Sequence, residues 1–325
     1  MTCSDSAMAY GFRIVGSCRG DRRLINWRSA FVAYSQCDDR AQTDAESYLS
    51  AFTFGDDFAE HLQTTGTTKD YAGCTWATWL WFDIDRDDDL KAATAEARRL
   101  VASLVERYSL TGDELLIFYS GSKGFHVGLP TSLWNATPAA DFHACCRKLA
   151  EKIAAGCGVA IDSGVYDRVR AFRAPNSRHP KTGRHKRILG LEELLSLRPN
   201  RIVELASRPE PFDLPAMPSC NGQAVRDWTE AINEVRQLRA TAEQRRFSGT
   251  VPAALNRATL EFIRDGAGMG DRHRSLFSAA ANLAEFGCSA ELAFALLSDA
   301  ALDSGLPPAE VRRQIECGLR HRGTV

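Results

Sequence analysis

No Cys-x-x-Cys pair occurs in the 325 residues, although ten cysteines are scattered from position 3 to position 317. That spacing argues against a zinc ribbon or a disulfide framework and points to reduced, semi-buried thiols. One group, His143, Cys145, Cys146 and Cys157, lies close in sequence. A helix over about 138–155 would place Phe142, Cys146, Leu149 and Ile153 on one face, which makes Cys146 a core residue, and no bound zinc is expected. Apolar runs stay far short of a membrane span and no basic-then-apolar leader opens the chain, so a cytoplasmic protein without a membrane partner is expected. The P-loop pattern Gly-x-x-x-x-Gly-Lys-Ser/Thr is missing, so unwinding of a duplex would fall to a separate helicase. No 20–50-residue repeat is evident. The net charge is only −1, and it predicts nothing by itself about nucleic acid.

The distribution of charge is more telling. Between Arg168 and Arg187 there are eight Lys or Arg, two His and no acid. Such one-signed density is a candidate phosphate-binding surface. Upstream, residues 75–85 alternate, with Trp79, Trp81, Asp83 and Asp85 on one side and Leu80, Phe82 and Ile84 on the other. Two acids on a strand face shared with two tryptophans are costly unless something compensates their charge. Carboxylates two apart on a strand project to the same side, about 7 Å apart along the backbone. A pair of this kind suits Mg²⁺ or Mn²⁺, hard cations that take oxygen ligands and keep positions for water and phosphate.

Asp87-Asp88-Asp89 should cap a helix reaching about Tyr108, followed by strands over 115–119 and 125–129 around the turn Gly121-Ser122-Lys123-Gly124. In Ser120-Gly-Ser-Lys-Gly-Phe-His126 the glycines let backbone N–H groups approach a phosphate, Lys123 supplies a point charge, and His126 can donate to a phosphate oxygen. After a further helix, Gly158–Asp162 reads as a short strand ending on an acid, and 187–197 as a short helix. Asp162 is the chosen third carboxylate, with Asp167 as its rival. Four prolines within 208–218 read as a linker, a helix over about 222–245 as a bridge, and 251–325 as a small helical domain. Arg272, His273 and Arg274 open one of its helices, where phosphate contact and a solvated face are both open.

Asp83-Ile-Asp85, Ser120-Gly-Ser-Lys-Gly-Phe-His126, and Asp162-Ser-Gly-Val-Tyr-Asp-Arg-Val-Arg170-Ala-Phe-Arg173 with the continuation to Lys181 resemble, in this order, the three motifs of the archaeo-eukaryotic primase superfamily, in its primase-polymerase branch. The resemblance covers about residues 75–190. It implies an α+β catalytic core over 1–207, with an RRM-like mixed or antiparallel sheet flanked by helices, then the 208–250 linker and bridging helix and the all-α domain. It implies metal ligation by Asp83, Asp85 and Asp162, with Mg²⁺ or Mn²⁺. Ser120, Lys123, Gly124 and His126 would hold the triphosphate of an NTP or dNTP, and Arg170, Arg173 and Lys181 would add positive charge. Arg178, Arg184, Lys186, Arg187, Arg272 and Arg274 are candidates for contact with a single-stranded DNA template. The activity implied is primer synthesis by two-metal nucleotidyl transfer, in a plasmid, phage or mobile-element setting. A primer-extending repair polymerase and a non-catalytic replication initiator or DNA-binding protein are the alternatives.

Overall fold

The computed structural model describes residues 8–87, 89–247, 255–268 and 270–320. Asp88 and residues 248–254, on which part of the sequence reading fell, lie outside them. The chain divides into two compact units, residues 1–240 and 241–325.

The first unit is built on two four-stranded sheets. Strands β1 (Tyr10–Val15) and β2 (Arg23–Asn26) form a hairpin, followed by helix α1 (Trp27–Ser35), β3 (Ser47–Ser50) and α2 (Asp56–Thr65). Then come β4 (Trp79–Asp85), α3 (Leu90–Tyr108), β5 (Leu116–Tyr119), β6 (Gly124–Pro130) and α4 (Phe142–Gly156). The short strands β7 (Ala171–Arg173) and β8 (Arg187–Leu189) close the two sheets, in the orders β2-β1-β3-β7 and β4-β6-β5-β8. Every pairing is antiparallel. The N-terminal segment therefore builds a sheet of its own with β7.

Burial on both faces explains the apolar density of β4, β5 and β6. Leu80, Phe82 and Ile84 are buried on the face of β4 opposite Trp79 and Trp81, and both α3 and α4 approach this strand. Trp79 and Trp81 point to the other sheet, where Trp79 meets Trp27 and Phe31, and Trp81 lies 5.3 Å from Phe172, centroid to centroid. Gly128, opposite Trp81 in the ladder, leaves room for the indole; a Cβ there would stand 2.7 Å from the ring. Asp89 caps α3 by accepting from the Ala92 N–H.

Three local expectations are corrected. Gly158–Asp162 is not a strand; one hydrogen bond, from the Asp162 N–H to the Asp83 carbonyl (2.9 Å), tethers it beside β4, and Asp162 then caps a 3₁₀ turn over Ser163–Tyr166. The segment 187–197 opens with strand β8 before helix α5 (Leu191–Ser196), because Tyr119 offers Arg187 a partner across the sheet edge. The proline-rich stretch, beyond α6 (Pro199–Leu205), is irregular but tied down. Buried Asn176 donates to the Tyr34 and Glu210 carbonyls and accepts from the Glu210 N–H, Arg187 pairs with Glu210, and the Phe212 N–H donates to the Ser35 carbonyl. It acts as a strap across the first unit. Helix α7 (Gly222–Phe247) follows, and its Asp227 accepts from Arg107, Tyr108 and Gln223.

The second unit packs α8 (Arg257–Asp265), α9 (Arg272–Glu285), α10 (Ala290–Asp303) and α11 (Pro308–Arg320) around Leu276, Leu283, Leu297 and Ile315. No helix among the described residues is long and apolar enough to cross a membrane.

Candidate active site

Asp83 and His126 face each other directly across the β4–β6 ladder, and Asp85 faces Gly124 two pairs further, past Ile84–Phe125. Period two puts both acids and the histidine on one face, the face that carries Trp81 deeper in. Glycine at 124 is a steric need: a Cβ would stand 2.3 Å from an Asp85 carboxylate oxygen and 2.0 Å from the Ile84 carbonyl. Arg173 at the end of β7 and Arg170 just before its start line the same cleft. The result is a cleft of about 180 Å³, lined among others by Asp83, Asp85, Ser120, Lys123, His126 and Arg173. A larger hollow of about 520 Å³ beside β1 and β2 holds a single carboxylate, Asp21, so the chemistry belongs to the smaller one.

The electrostatics of the cleft are dominated by buried, incompletely compensated carboxylates. The Asp83 side chain is only 15% exposed, and its Oδ1 is buried without a hydrogen-bond donor. The His126 Nε2 lies 3.4 Å from it but is not aligned to donate. Burial first, then the charges of Asp85 and Asp162, push the Asp83 carboxyl up to about 8, against the pull of Lys186 and Arg170. Burial also raises Asp85, opposed by Lys123. His126, tilted against the Phe172 ring at 4.4 Å between centroids, is held neutral by burial and by the nearby Lys186 and Arg173.

Among the described residues, no three His, Cys, Asp or Glu side chains stand close enough together to hold a metal ion. The expected carboxylate triad is therefore a pair with a neighbour. Asp162 bears on both acids, but its side chain accepts from the Gly164 N–H (2.8 Å) and lies 3.7 Å from Arg170. Two carboxylates, one with an orphaned buried oxygen, still fit Mg²⁺ or Mn²⁺, which commonly take one or two carboxylates and fill the remainder with water and phosphate.

The turn between β5 and β6 is rigid. Ser120 Oγ accepts from the Gly124 N–H (3.2 Å), and Tyr119 donates to the Ser122 carbonyl (2.6 Å). Lys123 pairs with exposed Asp87, an ion pair that a phosphate can replace at little cost. Thr182 Oγ1 donates to the Gly121 carbonyl (2.6 Å), which fastens the turn to the basic loop. That loop is a small hairpin: Arg178 bridges His185, and the His179 Nδ1 accepts from the Lys181 and Thr182 N–H groups.

Two cleft residues escaped the sequence reading. His179 lines the cleft, and with its Nδ1 accepting, its Nε2 carries the proton in the neutral ring and can donate. Tyr48 lies opposite Arg173 across β3–β7, with the guanidinium 5.2 Å from its ring centre and Glu46 on its hydroxyl. The acid-free block around His179 was a usable signal. Nothing local to Tyr48 was, since its place depends on a long-range strand pairing.

Several proposed template contacts must be corrected. Lys186 and Arg187 are buried, Lys186 beneath the cleft and Arg187 against Glu210, because their strand runs into the core. Arg272 donates to the Ser304 and Gly305 carbonyls at the end of α10 and so supports the second unit. Arg178 and Lys181 are exposed, Arg184 half-buried and Arg274 exposed. Lys181 stands on the hairpin and is not among the cleft-lining residues.

No protein-family model matches this chain, and no curated protein matches it. Among solved structures, the crystal structure of primase RepB' aligns with 97% of this chain and 91% of that chain at 15% identity, with a TM-score of 0.34. At that score the likeness is loose.

Proposed function

We propose that the protein is a DNA-dependent nucleotidyltransferase of the primase-polymerase kind, which joins nucleotides on a single-stranded DNA template. The observation that carries this reading is the convergence, in one cleft, of the Asp83–Asp85 pair with a rigid Ser120–Lys123 turn and with Arg170 and Arg173. One side of the cleft suits a divalent cation and the other a triphosphate.

Asp83 and Asp85 would hold Mg²⁺ or Mn²⁺, with Asp162 free to join on releasing Arg170. When bound, the cation neutralises triphosphate charge and activates the attacking hydroxyl. The Ser120–Gly124 backbone and Lys123 would cradle the phosphates, while Arg170 and Arg173 offset their charge. Neutral His126 and His179 would each donate one hydrogen bond to a phosphate oxygen.

Incubation of the full chain with unprimed and primed single-stranded DNA, Mg²⁺ or Mn²⁺ and labelled NTPs or dNTPs tests the proposal. Product on unprimed template makes it a primase; product only with a primer makes it an extending polymerase. Metal-independent DNA binding without product would favour a replication initiator.

The hairpin would guide the template. On single strands each phosphate that a protein neutralises contributes about 0.7 to the salt slope. Lys181→Ala with Arg184→Ala should therefore lower the slope of log K against log[salt] by about 1.4, as read by fluorescence anisotropy of labelled oligonucleotide. An unchanged slope would remove the hairpin from the template path.

A further inference from the structure

Lys186 is 1% exposed and has no part in the scheme above. Its Nζ lies 4.3 Å from the ring centre of Phe172, 4.8 Å from Phe118 and 5.1 Å from Trp81. It donates to the Arg173 carbonyl (2.9 Å), and to no other acceptor among the described residues. Burial pulls the Lys186 amine well below its ordinary range, against the opposing pull of Asp83, and a buried amine with one acceptor leaves its other donors unsatisfied, which is expensive. Stacking on ring faces returns part of that cost. Even so, an apolar side chain of similar volume would fill this space at no loss of stability, as replacement of buried charges often does. The amine therefore stands here for a reason other than packing.

Its surroundings supply one. Arg173 is the last residue of β7 and, among the described residues, has only Tyr48 as a side-chain partner, through a long 3.4 Å hydrogen bond and the ring face. Its guanidinium is thus weakly held from the cleft side. The strand end is held on one side by its pairing with β3, continued by the Ala174 N–H on the Ser47 carbonyl (3.0 Å), and from beneath by Lys186, which grips the Arg173 carbonyl. Lys186 is also the cation that bears most on the Asp83 carboxylate. One buried amine thereby bears on both halves of the cleft, by contact on the Arg173 side and, when protonated, through space on the Asp83 side.

We infer that Lys186 is a positioning residue, which holds the end of β7 so that the Arg173 guanidinium is set to meet the phosphates of the incoming nucleotide. This rests on the nucleotidyltransferase reading of the cleft. Lys186 does not itself contact substrate, and its effect passes through Arg173.

A double-mutant cycle on the full chain tests it, with metal-free inorganic tripolyphosphate as the titrant in calorimetry and Tm as the folding control. Lys186→Met should bind tripolyphosphate about tenfold more weakly with Tm at or above the wild-type value. Arg173→Ala should lose about tenfold, and the double variant no more than either alone, as coupled residues behave. Lys186→Gln, one bond too short to reach the Arg173 carbonyl, should show the same loss and serves if the methionine variant does not fold. Wild-type binding by either Lys186 variant, or losses that multiply to about 100-fold, would overturn the inference while leaving the cleft's function intact. A wild-type protein that binds no tripolyphosphate would overturn both.

Discussion

Asp83→Asn should abolish nucleotide incorporation and at the same time make the protein harder to melt. The loss follows from removing one of two carboxylates that would hold the cation: metal stabilisation of a phosphoryl transition state is worth several kcal/mol, and about 4 kcal/mol corresponds to roughly 10³-fold in rate. The gain in stability follows from the surroundings. Burial, Asp85 and Asp162 push the Asp83 carboxyl up to about 8, far above the ordinary 3.8. Between those two pH values the folded chain keeps a proton that the unfolded chain has released. Folding is therefore linked to proton uptake, and stability falls as pH rises through this window, the loss being complete above about 8. Asparagine has no such slope. The Tm of the variant should match wild type near pH 4 and exceed it at pH 8.5, with each 1 kcal/mol appearing as about 2–4 °C in a unit of this size. Mg²⁺ or Mn²⁺ should stabilise wild type and leave the variant unmoved. Differential scanning fluorimetry at the two pH values reads all of this; a variant less stable at pH 8.5 would contradict the account.

Gly124→Ala should be the most damaging small substitution near the site. The added methyl would fall on the Ile84 carbonyl and against Asp85, and neither can move without breaking the β4–β6 ladder. Overpacking against backbone in a closed core costs about 3 kcal/mol, or roughly 6–12 °C in Tm. Gly156→Ala, where a Cβ meets nothing within 4 Å, is the matched control and should melt within about 2 °C of wild type. If the two variants melted alike, glycine at 124 would not be a steric requirement of the carboxylate pair.

How far the sequence disclosed this site depends on the kind of signal. Asp83, Asp85, Ser120, Lys123 and His126 were legible because one alternating strand, β4, and the β5–β6 hairpin with its turn carry them. Alternation fixes which side chains of a strand share a face, and the β5–β6 hairpin leaves little freedom of register, but the pairing that sets Asp83 opposite His126 joins strands separated by α3 and β5. Arg170 and Arg173 were legible as charge but not as geometry. The same block was read as one exposed surface, whereas β8 draws Lys186 and Arg187 inward. A three-residue strand is too short for periodicity to separate from a loop. The proline-rich stretch misled in the opposite way. Proline excludes helix and central strand, but it does not exclude a strap held by Asn176, Arg187 and Phe212. Tyr48 was out of reach because only the β3–β7 pairing, between residues far apart in sequence, brings it to the cleft.

The central claim is that this cleft joins nucleotides under the direction of a template. It is tested most directly by offering the full chain a homopolymeric single strand with all four labelled nucleotides and Mg²⁺ or Mn²⁺. Incorporation of the complementary nucleotide alone, absent in Asp83→Asn, is the predicted result. Incorporation that ignores the template, or that survives in Asp83→Asn, would contradict it.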